Sequence, residues 1–190
     1  MLPVDHLAGP AIMTMKPLSL SKVYRLIEPG PVVLLTTAIE GRANVMTQSW
    51  NMMVEFEPPR LACVVTWGDH SFTALRETGE CVIAIPGVEL APLVVKIGNC
   101  SGRDVDKIAT FELATQAAEC VTPPLLPQCF ANLECRVVDT TLAERFNLFV
   151  IEVVKAWTDP AMAGAKIFHH HGCGEFSVDG ERLRLESRMR

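Results

Sequence analysis

A mainly β fold, an antiparallel barrel carrying a few short helices, is the class this sequence predicts. Three observations predict it. Six to eight strand-length runs rich in β-branched residues are separated by turn signals, and most connections are of hairpin length. Strands and helices do not alternate regularly, as a doubly wound sheet would require. No Gly-x-Gly-x-x-Gly fingerprint or Walker-type glycine loop is present, which removes two common nucleotide sites.

Taken in order, Ser19-Leu20-Ser21-Lys22 is a polar turn, and residues 23–27 form a short helix stopped by Pro29-Gly30-Pro31. Residues 31–37 read as a buried strand, Glu40-Gly41 as a tight hairpin turn, and residues 43–49 as the returning strand. Pro58-Pro59 marks a break before a third strand over 61–67. Residues 71–76 have helical character, with Asp69 or Ser71 as N-cap and Gly79 as stop. A short strand over 81–85 precedes a helix over 89–97, whose Leu90, Leu93, Val94 and Ile97 share one face. Residues 104–111 add a helical turn, and three prolines make 114–128 an extended loop. Long strands follow over 131–138 and 146–157, the second apolar enough for cover on both faces. At the end, Ile167-Phe168 and residues 175–178, then 182–185 after the Asp179-Gly180 turn, supply a terminal hairpin.

The chain has 190 residues, the size of one domain, and we divide it into a flexible extension over 1–15 and a domain over 16–190. A hydrophobic content of 49% with only 21% charged residues leaves apolar surface to spare for a subunit interface. The net charge of −5 argues against nucleic acid, which needs a basic face. The alternating Arg182, Arg184, Arg188 and Arg190 with Glu181 and Glu186 read as a solvated edge. No apolar run approaches the roughly 18 residues that span a bilayer, and Asp5 stands where a secretory signal carries positive charge. Seven cysteines without a Cys-x-x-Cys pair imply neither a disulfide framework nor a zinc knuckle, and we expect the reducing cytoplasm.

Three donor-rich junctions stand out. In a strand, Asn44, Met46, Gln48 and Trp50 point one way and Val45, Thr47 and Ser49 the other. Short hydroxyls and amides there suit the polar edge of a heteroaromatic ring, with Met46 or Trp50 against its face. By residue chemistry alone, a ligand site and an ordinary strand end remain equally open. Ser71 and Thr73 at a helix start suit a phosphate, or simply cap the helix. Arg103 and Lys107, four apart after Ser101-Gly102, suit a phosphate clamp, or a surface loop with internal salt bridges. His169, His171 and Cys173 would share a strand face, but no fourth ligand is evident, so we assign no metal and read a strand end lining a pocket or a subunit contact. No nucleophile elbow, activated cysteine or paired carboxylate is marked.

Asn44-Val45-Met46-Thr47-Gln48-Ser49-Trp50, Pro58-Pro59-Arg60, the strand 61–66, His70-Ser71-Phe72-Thr73 and Ser101-Gly102-Arg103-Asp104-Val105-Asp106-Lys107 occur in an order that resembles the flavin reductase-like, FMN-binding split-barrel family, flavoredoxin-like. The resemblance runs from about Pro31 to Gly180. It implies a six-stranded Greek-key split β-barrel, a homodimer, and FMN held non-covalently near the subunit interface. By position, Asn44, Met46, Thr47, Gln48, Ser49 and Trp50 line the isoalloxazine and ribityl chain. Thr66, Ser71 and Thr73 approach the phosphate, and Ser101, Arg103 and Lys107 neutralise it. The implied activity is hydride or electron transfer from NAD(P)H, or from a redox protein, to flavin or a downstream acceptor. A flavoredoxin-type carrier and a non-catalytic FMN module are the alternatives, and no catalytic residue is assigned.

Overall fold

Two residues join opposite edges of the main sheet, and that junction sets the architecture. The computed structural model describes residues 30–162 and 164–186. The expected helix over 23–27 and the expected boundary between extension and domain at 15/16 lie outside them. Seven strands form one antiparallel sheet: β1 (Val33–Ile39), β2 (Arg42–Gln48), β3 (Asn51–Glu55), β4 (Arg60–Val64), β5 (Glu80–Ile85), β6 (Ala131–Asp139) and β7 (Leu148–Thr158). Their order is β2-β1-β5-β6-β7-β4-β3.

In a flat sheet, six steps of about 4.8 Å would place β2 and β3 roughly 29 Å apart. Only Ser49 and Trp50 lie between these strands, a link that reaches about 10 Å at most. The sheet therefore curls until its edges meet, giving a split barrel. Asn51 fastens the meeting point, its Nδ2 donating to Pro31 O at 3.0 Å and to Gln48 Oε1 at 3.2 Å. Gly30 lies against the same point. A Cβ there would sit 2.6 Å from both Ser49 O and Asn51 O. Because backbone cannot yield as a side chain can, Gly30→Ala is expected to cost about 1–3 kcal/mol, read as a lowered urea midpoint.

The first hairpin matches its expectation. Glu40 and Gly41 both take positive φ (50° and 75°), as a two-residue turn that follows strand twist requires. β3 is an unexpected strand, and it raises the count above the six the resemblance implies. Its Met52, Met53 and Val54 are all exposed, so it carries no inside–outside alternation to read. The terminal hairpin is corrected. β8 (Phe168–His170) pairs with β9 (Phe176–Val178), not 175–178 with 182–185. Leu183 and Leu185 alternate like strand residues but lie exposed on irregular backbone. The β8–β9 turn is instead built by Gly172, Cys173 and Gly174, all with positive φ.

Four α-helices lie among the described residues: α1 (His70–Thr78), α2 (Ala91–Gly98), α3 (Lys107–Thr110) and the unexpected α4 (Ala143–Phe146). Both faces of β1 are buried, and they serve two cores. Val33 and Leu35 pack inside the barrel with Phe72, Leu75, Ile83, Phe149 and Ile151. Val32 and Leu34 face outward, under Val94 and Ile97 of α2 and under Phe168. That second core presses the end of α2 onto β2. Cys63, Cys81 and Cys135 are interior residues, and burial pushes the Cys63 thiol up to about 12. No helix among the described residues is long and apolar enough to cross a membrane.

Candidate functional site

Three segments distant in sequence meet beside β2. From α2, Val94 O accepts a hydrogen bond from Thr47 Oγ1 at 2.7 Å, and Gly98 fits closely, since a Cβ there would lie 3.4 Å from Thr47. From α1, the buried Ser71 accepts from Asn44 Nδ2 at 2.9 Å and from Thr37 Oγ1 at 3.4 Å. The loop after α2 is laid directly on both. A Cβ on Gly102 would stand 2.2 Å from Asn44 Oδ1 and 2.7 Å from His70 Cδ2, so only glycine permits this approach.

The three segments enclose a cavity of about 320 Å³, lined by Asn44, Met46, Thr47, Asp69, His70, Ser71, Ser101, Arg103 and Lys107 among others. Its electrostatic character is positive. Lys107 is only 5% exposed, and its Nζ donates to Ile97 O at 3.0 Å. Neither Lys107 nor Arg103 forms an ion pair with a described residue. Burial holds the Lys107 ammonium below the usual lysine range, partly offset by Cys100 and Asp69. His70 reports the same field. Burial first, then the charges of Arg103, Arg42 and Lys107, holds its imidazole below the usual histidine range. A buried cation with no ion-pair contact to a described residue, beside a second cation and an imidazole, is suited to an anionic group brought from outside.

A second compartment of about 490 Å³ shares Thr47, Gly98 and Asn99 with the first. Its walls are Gln48, Ser49, Trp50, Val94 and Val95 on one side and His170, Cys173 and Phe176 of the β8–β9 hairpin on the other. The His170 ring packs on Phe176 with centroids 5.1 Å apart. The two compartments together form a trough, cationic at one end and more apolar at the other.

Of the expected site residues, Asn44, Met46, Thr47, Ser71, Ser101, Arg103 and Lys107 line the first compartment. Thr47, Gln48, Ser49 and Trp50 line the second. Thr66 and Thr73 line neither. Thr73 follows Ser71 by two residues, about 200° around a helix, and is exposed. Thr66 shapes the turn into α1, its N and Oγ1 both donating to Asp69 Oδ2 at 2.8 Å. The Gln48 carboxamide is engaged at the strand junction, donating to Trp50 O and accepting from Asn51 Nδ2. His169 and His171 meet cross-strand partners, Asp179 Oδ1 at 3.3 Å and Ser177 Oγ at 2.8 Å. No cluster of three metal-ligating side chains occurs among the described residues.

Sequence reasoning missed Asn99 as a lining group; its position directly after the amphipathic helix ending at Gly98 was the available signal. His70 reads from the sequence only as part of a donor cluster, and the run 169–173 only as a strand end lining a pocket or a subunit contact. His170 and Cys173 do line the second compartment, though a run of three histidines does not reveal which of them faces inward.

The family model described as the flavin reductase like domain matches residues 24–176. The chain belongs to the flavin reductase-like family. Protein YddH of Escherichia coli K12, itself uncharacterised, is 33% identical over 186 residues, covering 88% of this chain and 96% of YddH. Among solved structures, an FMN-binding domain of a flavin reductase-like enzyme from Shewanella baltica OS155 is 26% identical, with a TM-score of 0.78 over 89% of this chain and 96% of that one. The flavoredoxin of Desulfovibrio vulgaris (Miyazaki F) shares the fold at 20% identity, with a TM-score of 0.79 over 91% of this chain and 97% of its own. In this flavin reductase-like chain, then, the cationic trough lies beside β2 at the mouth of a split barrel.

Proposed function

We propose that this flavin reductase-like protein binds FMN non-covalently in the trough. There it serves as an oxidoreductase that passes hydride or electrons from NAD(P)H, or from a redox protein, to flavin or a downstream acceptor. One observation carries the reading: Thr47, Ser71 and Arg103, from three separate segments, line a single cationic cavity. Bound FMN would supply the redox chemistry itself, which belongs to the isoalloxazine ring. The residues of the chain would do the rest. Arg103 and Lys107 would pair with the phosphate, and the hydroxyl of Ser101 would donate to it. Ser71, already held by Asn44 and Thr37, would keep β2 and α1 in register beneath it. Trp50 and Met46 would pack against the ring, while the backbone and hydroxyls of Thr47 and Ser49 meet its polar edge. A flavin-mediated hydride transfer needs no acid–base pair from the protein, which agrees with the absence of a catalytic dyad.

The outward residues Met52, Met53 and Phe56 support a homodimer. Met52 and Met53 line an apolar cavity of about 710 Å³ that also includes Trp50, Leu61 and Leu148. Trp50 lines both the trough and this face, which supports a ring end lying near a second subunit. The buried reduced thiols fit a cytoplasmic setting.

The test is direct. The purified protein should absorb near ~450 nm, as oxidised flavin does, and mass spectrometry of the released ligand should identify FMN. It should oxidise NADH or NADPH in the presence of an acceptor. No turnover with either nucleotide would leave the protein-fed electron carrier as the activity. A colourless protein that also fails to take up added FMN would end the proposal.

A further inference from the structure

The segment after β9 has the alternation of a strand and, among the described residues, no strand to join. Leu183 and Leu185 are 84% and 78% exposed, and Arg182 and Arg184 make no ion pair with a described residue. β3 has the complementary deficit. It ends the order of the sheet and pairs only with β4, so its outer edge is unpaired among the described residues. An unpaired edge is a template for another strand. Met52, Met53 and Val54 are exposed along it, and Glu55 and Glu57 follow as exposed carboxylates with no ion pair to a described residue. Arg60, opposite Glu55 on β4, is already held by Glu152 at 2.9 Å. The segment is apolar and cationic and the edge apolar and anionic, so the two match in pattern and in charge.

The topology directs them apart within one chain. Six antiparallel steps lead from β2 to β3, so β3 points along the sheet as β2 does, opposite to β1. Pro31, just ahead of β1, is bridged antiparallel to His169 of β8, and β9 is antiparallel to β8, so β9 points as β1 does. Asp179 N donates to Ile167 O at 3.0 Å and holds that course to the end of the hairpin. The segment therefore leaves its own domain in the direction opposite to β3. On the homodimer reading above, we propose that residues 182–185 cross to a second copy of this chain and add to the outer edge of its β3. Leu183 and Leu185 cover Met52 and Met53 there, and Arg182 and Arg184 face Glu55 and Glu57. The exchange is mutual, as two-fold symmetry requires, and closes both edges.

The experiment is sedimentation of the full chain and of variants at these exposed positions, with circular dichroism as the folding control. Leu183→Asp with Leu185→Asp is expected to weaken the dimer about a hundredfold, as returning two leucines to water does. Arg182→Glu with Arg184→Glu sets like charges against the edge, and Glu55→Arg with Glu57→Arg does so from the other side. Each of these two variants alone should dimerise about tenfold less tightly. Mixed one to one, they should form a heterodimer within about threefold of the unsubstituted affinity, because both segment-to-edge contacts are then matched. No recovery on mixing overturns the inference, and is the result if the segment lies on β3 of its own chain. A dimer indifferent to the leucine pair overturns it too, while leaving the homodimer reading in place. A monomeric unsubstituted protein would instead overturn the homodimer reading, and this inference with it.

Discussion

Arg103→Ala is expected to lower FMN affinity about tenfold, and Lys107→Met by up to about a hundredfold. A charge-assisted contact to a phosphate contributes roughly 1.5–3 kcal/mol, one to two decades. Arg103 is exposed, so solvent and salt screen its contact and place it at the weak end. Lys107 is buried and already tied to Ile97 O. Its contact is made out of water, at an ammonium whose chain is fixed before the ligand arrives. The order of the two effects is therefore part of the prediction. Raising the salt concentration should weaken binding in the unsubstituted protein and do so less in Arg103→Ala. Fluorescence titration of FMN into each variant, with circular dichroism melts as a folding control, measures this. Unchanged affinity in both folded variants would show that the phosphate lies elsewhere.

The larger effect on stability is expected at Glu134, far from the trough. This carboxylate on β6 is fully buried. Its Oε1 accepts from Trp157 Nε1 at 2.7 Å and from Glu119 N at 3.1 Å, while Oε2 accepts from Cys120 N. It thereby pins the proline-rich loop to the sheet, next to the Lys155–Glu119 ion pair. Glu134→Ala strands several buried donors at about 1–3 kcal/mol each, so a loss of roughly 3–5 kcal/mol is expected, with Glu134→Gln losing less. Burial by itself would raise the Glu134 carboxyl. The bonds from Trp157 and from the amides of Cys120, Glu119 and Val121 outweigh it and hold the group below its ordinary value of 4.5. Because the folded state holds this proton less tightly, the stabilisation is fully present above about pH 4.5 and lost as pH falls through the lower folded value. Urea midpoints should fall more steeply below pH 4.5 in the unsubstituted protein than in Glu134→Gln. Parallel slopes would refute the assignment.

What could be read from the residues followed their local periods. The β1–β2 hairpin was legible because Glu40-Gly41 takes the positive φ pair such a turn needs. The α2 face was legible because Val94 and Ile97 recur at helical spacing and are buried. β3 was not, because a strand whose Met52, Met53 and Val54 are all exposed shows no inside–outside alternation. The terminal hairpin was misread because Leu183 and Leu185 carry a strand period without an edge to pair with. Among the candidate hydroxyls, Ser71 and Thr73 looked equivalent, and about 200° of helix rotation separated them.

The residues alone make the chemistry on offer legible: a barrel of short strands and three clusters of hydroxyls, amides and cations. Which of those groups face one another is set by the closing of the sheet. Curling the sheet until Gln48 meets Asn51, and pressing α2 onto β2, brings Thr47, Ser71, Arg103 and Lys107 to one cavity and leaves Thr66 and Thr73 outside it. A local pattern specifies the direction of a side chain within its own element, whereas the closure of a sheet depends on pairings between strands up to a hundred residues apart. Convergence is a property of that closure.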